Sequence, residues 1–177
     1  MQSKQYIVDS KQDRALSVDP GFDRVGVAIL SGGSSKQELL YSECIVTDRK
    51  DSHAERLLTV GNRIKKIIKE WQPTALGIEK LFFNQNTKSA LGVAEARGVI
   101  IYEAVSLGLQ IFEYSPQEIK IATTGYGKAS KDDVKKMVLK LIKLSKMPKY
   151  DDEMDAIAVG ITHLASHEQK TRLSPQK

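Results

Sequence analysis

The stretch Ala75-Leu76-Gly77-Ile78-Glu79 decides how this chain folds. Its apolar run is short, lacks polar alternation and ends on an acid, so it reads as a central strand buried on both faces. Pro73 stops the segment before it. There Leu57, Val60, Ile64, Ile67, Ile68 and Trp71 recur at helical spacing, with Arg56, Arg63, Lys65, Lys66 and Lys69 on the opposite face. Ser52 and Glu55 have the spacing of a capping box at the start of that helix. Further upstream the period is that of strands. Residues 15–18 run into Asp19-Pro20-Gly21, residues 25–30 end at Gly32-Gly33, and a third strand spans about 38–47. Short turns join these three into an antiparallel meander. Downstream, a helix over about 87–107 carries many small residues, and residues 110–114 form another strand. Pro116 opens a short helix through 122, and residues 123–128 form a glycine-rich loop. Ser130 caps a helix bearing Val134, Met137, Val138, Leu141 and Leu144, which the segment 147–150 breaks. A last helix covers about 152–165. The order predicts an α/β fold with a mixed five-stranded sheet, three antiparallel strands then parallel ones, flanked by helices on both faces.

Composition bounds the rest. A chain of 177 residues with 41% hydrophobic and 28% charged residues is one globular domain's worth, not a disordered or collagen-like chain. The domain is expected over residues 14–166, with a polar extension at 1–13 and a polar tail at 167–177. The lone Cys44 excludes a disulfide framework and an all-cysteine metal site, which fits a reducing cytoplasm. No apolar run approaches the roughly 18–20 residues of a membrane span, and the first residues hold no apolar core of signal-peptide length. A net charge of +5 points to an anionic partner.

Four acids stand at positions where α/β folds build sites. Asp19 ends the first strand and Glu79 the fourth. Asp152 and Asp155 lie at i and i+3 near the start of the last helix, on one face; Asp151 can share that face, Glu153 points away. Asp151, Asp152 and Glu153 also suit a helix N-terminus on dipole grounds alone. Asp155 precedes the apolar run Ala156-Ile157-Ala158-Val159, where an acid is costly unless paired or metal-bound. Carboxylates are the natural ligands of hard divalent cations such as Mg²⁺. Between Lys120 and Lys149 lie nine lysines against Asp132 and Asp133. Of these, Lys128, Lys131 and Lys135, with the loop at 125–127, are candidates to hold phosphates. Lys136, Lys140 and Lys143 read as a solvated helix face. Phe82 and Phe83, in a loop, suggest one ring turned inward and one free to stack on an unpaired base. Cys44 and His163 read as structural, His53 as exposed.

Asp19-Pro20-Gly21, the segment Gly77-Ile78-Glu79-Lys80-Leu81-Phe82-Phe83 and Ala94-Glu95-Ala96-Arg97-Gly98-Val99-Ile100 resemble the RuvC Holliday junction resolvases. So do Phe112-Glu113-Tyr114-Ser115-Pro116 and the run from Asp152 to His163. The resemblance extends in order over about residues 16–163. It implies an RNase H-like fold, a homodimer and Mg²⁺-dependent nicking of four-way DNA junctions, two ions per site, with Mn²⁺ as a substitute. Asp19, Glu79, Asp152 and Asp155 match the family's catalytic, metal-holding acids, and spacing favours Asp152 over Asp151. Phe82 matches a base-stacking aromatic, Lys120 and Lys131 match basic positions used on the junction, and Arg97 and Gly98 match the helix turn at the dimer interface. Cooperation with the RuvAB branch-migration complex follows from the same resemblance. The chain departs from the usual pattern in residues 1–13, which precede the usual start, and in Leu-Ser-Val-Asp at 16–19. Its Gly21-Phe22-Asp23-Arg24-Val25-Gly26 is also similar to YqgF-type RNA-processing relatives, whose pattern there is Arg-x-Gly-Val-Ala and which lack the Ile-Glu-x-x-Phe-Phe element at 78–83. A non-cleaving junction-binding protein is a rival of another class.

Overall fold

The structure is a computed structural model; it describes residues 14–33, 36–81, 87–144 and 146–173, with side chains described except at 87–89 and 167–173. The expected extension at 1–13 and the Phe82-Phe83 loop lie outside the described residues.

Five strands form one sheet: β1 (Arg14–Asp19), β2 (Arg24–Gly32), β3 (Gln37–Val46), β4 (Ala75–Glu79) and β5 (Gln110–Tyr114). Their spatial order is β3-β2-β1-β4-β5. β1 to β3 pair antiparallel, and β1–β4 and β4–β5 pair parallel, as the meander followed by alternating elements predicts. The five helices are α1 (His53–Trp71), α2 (Thr87–Ser106), α3 (Pro116–Thr124), α4 (Lys131–Leu141) and α5 (Asp151–Leu173).

Strand alternation sorts the sheet into two faces. Leu16, Val18, Val27, Leu76 and Ile78 turn to α1 and α2 and form one core with Val60, Ile64 and Ile100. Ala15, Ala28 and Leu30 turn to the other face, where α5 supplies Ile157, Val159 and Ile161, and α4 supplies Val134 and Val138. The central strands are therefore apolar on both sides, which is why β4 shows no alternation. Asp19 and Glu79 lie in phase with Ala15 and Ala75, hence on the α5 face.

Caps fix the helix starts. Ser52–Glu55, Ser115–Glu118 and Ser130–Asp133 each form a reciprocal capping box, and Pro116 takes the first turn of α3. Three boundaries differ from the sequence expectation. α3 continues through Thr123 and Thr124, whose hydroxyls donate back to the carbonyls of Ile119 (2.7 Å) and Lys120 (2.8 Å). The loop that follows starts only at Gly125. α4 stops at Leu141, because Ile142 turns extended and buries itself in the core. α5 begins at Asp151 and stays helical to Leu173, into the segment expected to be tail.

α5 lies very close to the sheet because two glycines let it. A side chain on Gly26 would place its Cβ 1.8 Å from the Asp152 carbonyl oxygen, and one on Gly160 would meet Leu30 at 2.4 Å. Gly26 is the β2 partner of Asp19, so the first turn of α5 sits directly over the end of β1.

Candidate active site

The β1–β4 register pairs Val18 with Ile78, so the next residue on each strand, Asp19 and Glu79, ends its strand beside the other. Parallel neighbours in register point the same way, here towards α5. Asp152 and Asp155 come down from the first turns of α5 on the face that meets Gly26. Burial, then the charges of Glu79, Asp155 and Asp152, push the Asp19 carboxyl from its ordinary 3.8 up to about 8. Burial, then Asp155, raises Glu79 as well. Burial is also the first cause raising Asp155, opposed by Lys131. Asp19, Glu79 and Asp155 thus share one electrostatic field, and burial of like charges raises all three.

The helix acids divide by partner. Asp151 is exposed and bonded to Lys135 Nζ at 2.8 Å, which lowers its carboxyl. Glu153 accepts from Ser42 Oγ at 3.2 Å. Asp152 faces inward. Its buried Oδ2 has no hydrogen bond, although Arg24 Nε stands 3.1 Å away. Asp155 pairs with Lys131 Nζ at 2.6 Å. Of the two candidates, then, the fold turns Asp152 and not Asp151 to Asp19.

The chemistry of this donor set fits divalent cations: hard oxygens, excess negative charge and one buried oxygen without a hydrogen bond. As the side chains stand, no three acidic, histidine or cysteine groups among the described residues converge on a single ion position. The Lys131 ammonium holds Asp155 instead.

Lys120 and Lys131 line a cavity of about 240 Å³ together with Glu79 and Asp155. Lys128 and Lys135 do not line it; Lys128 is exposed on the loop before α4 and Lys135 is engaged by Asp151. Arg97 turns to its own sheet, donating from Nε to the Glu79 carbonyl at 3.3 Å and ion-pairing with Glu113. Gly98 faces open space: among the described residues, nothing beyond its own helix backbone lies within 4 Å of where a Cβ would be. His163 is buried on Tyr114 Oη at 3.0 Å, a core contact, and half-buried Cys44 has its thiol pushed up to about 11 by burial. His53 is exposed but paired, 2.7 Å from Glu95.

Sequence reading missed Arg24, the cation nearest Asp152, and the clamp that fixes the turn after Asp19. In that clamp Arg56 stacks on the Phe22 ring at 3.9 Å, donates to Thr47 Oγ1 at 2.9 Å and ion-pairs with Asp23. One signal was present: a glycine inside an apolar strand, Gly26, marks close approach of another backbone.

Paired strand-end acids under an acidic helix, on a mixed sheet with helices on both faces, define an RNase H-like nuclease. A family model described as crossover junction endodeoxyribonuclease RuvC matches residues 15–163, and the chain belongs to that family. The RuvC of Finegoldia magna is 40% identical over 151 residues, covering 85% of this chain and 92% of the relative. The solved structure of Thermus thermophilus RuvC in complex with a Holliday junction substrate superposes with a TM-score of 0.84 at 27% identity, covering 90% of this chain and 97% of that one. The yeast mitochondrial resolvase Ydc2 shares the fold, with a TM-score of 0.61 at 16% identity, covering 94% and 85% of the two chains. The family is one of endodeoxyribonucleases, hydrolases of DNA. No described helix is long and apolar enough to cross a membrane.

Proposed function

We propose that this chain resolves four-way (Holliday) DNA junctions by paired, symmetric nicks that leave 5′-phosphate and 3′-hydroxyl ends, and that it does so as a homodimer in the bacterial cytoplasm. The observation that carries the reading is the meeting of Asp19, Glu79, Asp152 and Asp155 at one end of the sheet, strongly enough that Asp19 is pushed up to about 8. These four residues would hold two Mg²⁺ ions. Bound there, such ions would supply charge neutralisation for the phosphodiester and activation of water, chemistry that four like-charged carboxylates cannot supply alone. The chain's own part is positional. β1 and β4 fix two acids rigidly, and α5, pressed onto Gly26, fixes the other two. Lys120 and Lys131, on the wall beside Glu79 and Asp155, receive the backbone phosphates that flank the cut. No side-chain nucleophile is involved, so no covalent enzyme–DNA bond forms.

The dimer rests on α2. Its exposed side carries Leu91, Gly98, Tyr102 and Val105, one apolar stripe with a glycine at its centre. A two-fold dimer places two acid clusters on a junction that itself has two-fold symmetry, which paired nicks require.

The test is incubation with a synthetic mobile four-way junction and Mg²⁺, beside matched linear duplex and RNA, with an Asp155→Asn control. Paired symmetric nicks in the junction alone, religatable and abolished in the control, are the expected result. Equal attack on duplex or RNA replaces this reading with a general nuclease, and binding without cutting replaces it with a junction-binding protein.

A further inference from the structure

Beyond Lys120 and Lys131, a second basic group stands on the opposite side of the acid cluster, at the start of β2. Arg24 opens that strand, and its place against α5 is fixed by backbone packing at Gly26. Its guanidinium is half-exposed and ion-pairs through Nε with Asp152 Oδ2 at 3.1 Å. The four N–H donors of its two terminal nitrogens are the ones it can offer to a ligand.

The guanidinium also lies over the Tyr150 ring, 5.4 Å from its centre, and Lys149 Nζ lies 5.1 Å from the same centre. One aromatic ring thus steers two cations. Lys149 and Tyr150 line a groove of about 480 Å³ beside β3, with Lys146 on its rim. The acids nearby are already engaged. Asp23 is paired with Arg49 at 2.5 Å and with Arg56, Glu153 is held by Ser42, and Glu43 is paired with Arg63 at 2.5 Å. The flank therefore presents positive charge next to a catalytic carboxylate, with donors in the planar fork that suits a phosphate.

We infer that Arg24 and Lys149, arranged around Tyr150, grip a backbone phosphate of the cut strand on the side of the scissile bond opposite Lys120 and Lys131. The strand is then held on both sides of the acids, which fixes which phosphate meets them. The assignment rests on the junction-cleaving reading above, and its ligand class is a DNA phosphodiester.

The test uses the full chain in the Asp155→Asn background, where the expected loss of cutting lets binding be read alone. Kd for a four-way junction is measured from about 50 to 200 mM NaCl, where each phosphate contact contributes about 0.9 to the slope of log Kd on log salt. Arg24→Gln with Lys149→Gln, which removes the one phosphate contact the two residues share, lowers that slope by about 0.9 and raises Kd several-fold at the upper salt. Arg24→Lys, which keeps the charge, retains the slope. A junction carrying a single methylphosphonate is then moved along the cut strand. One position beside the scissile bond weakens binding of the parent but not of the double variant.

An unchanged slope and Kd overturn the assignment, provided thermal unfolding shows the double variant folded as the parent is. So does a slower cut at saturating junction with Kd and slope unchanged in the otherwise unsubstituted chain, for then Arg24 acts on Asp152 alone. If the unsubstituted chain neither prefers nor cuts junctions, the proposed function fails with it. If it resolves them while the double variant binds as tightly, only the second phosphate grip fails.

Discussion

Asp19 is the residue on which the site's electrostatics converge. Burial first, then three neighbouring carboxylates, raise it from 3.8 to about 8. In the folded chain it keeps its proton through a range where the unfolded chain has lost it. The folded state therefore binds more protons between about pH 4 and 8, and stability falls as pH rises across that window. Above it, a buried Asp19 anion is a standing cost in the metal-free protein. Asp19→Asn removes the charge at nearly constant shape. We expect the metal-free variant to melt higher than the parent at pH 9, by about 2 kcal/mol or roughly 4–8 °C. At pH 5, where the parent's Asp19 is already protonated, the gap closes. Mg²⁺ raises the parent's melting temperature at pH 9 and raises the variant's much less. Calorimetry at both pH values with and without Mg²⁺ decides the matter; an equal difference at pH 5 and pH 9 would place the cause in packing instead of charge.

At the scale of elements, the site exists because α5 lies against β1 and β2 with almost no gap. Gly26→Ala tests this directly, since its Cβ would lie 1.8 Å from the Asp152 carbonyl oxygen and backbone cannot give way as a flexible side chain does. The first turn of α5 must lift, taking Asp152 and Asp155 with it. The expected cost is about 1–3 kcal/mol of stability. Mg²⁺-dependent cleavage falls by two orders of magnitude or more, about what misplaced catalytic groups lose. A variant as active as the parent would show that the contact does not position the acids. Elements of this kind were readable from local pattern. Helical spacing marked α1, serine caps marked the starts of α1 and α4, Pro116 marked the start of α3, and the unalternating 75–79 run marked the central strand. The four acids were readable because strand ends and an acid ahead of an apolar helix are unusual places for charge. Arg24 and Tyr150 were not, because their contact joins residues 126 positions apart and no local period encodes it. The ends of α3 and α4 were missed for a different reason: hydroxyl back-bonding at Thr123 and Thr124, and burial of Ile142, are decided by tertiary surroundings.

For the whole molecule, the question is what covers α2. Its inner side, Ala96, Ile100 and Ala104, is buried against the sheet, while Leu91, Tyr102 and Val105 remain 67%, 69% and 56% exposed on the outer side. Their spacing, with Gly98 between, keeps them on one stripe of the helix. Among the described residues nothing outside its own helix approaches the Gly98 face, so it leaves room for a second helix to come close. Arg97, beside it, is turned into its own sheet and steadies the Glu79 end of β4, so the stripe and the acid site are linked through one residue. Tyr102→Glu places a charge in the middle of the stripe without touching the core. We expect the monomer's stability to change by no more than about 0.5 kcal/mol, as for an exposed substitution. Light scattering should show a dimer for the parent and a monomer for the variant at micromolar concentration. The consequence for cutting is specific. On a supercoiled plasmid that extrudes a cruciform, two coupled nicks within one encounter give a linear product, whereas independent nicks give relaxed circles. The parent should yield mainly linear DNA. The variant, with its acids intact, should yield mainly nicked circles and cut each strand with the same Mg²⁺ requirement. A variant that stays dimeric and still linearises the plasmid would remove α2 from the interface, because no other property of the substitution could preserve coupling across a charged, broken seam.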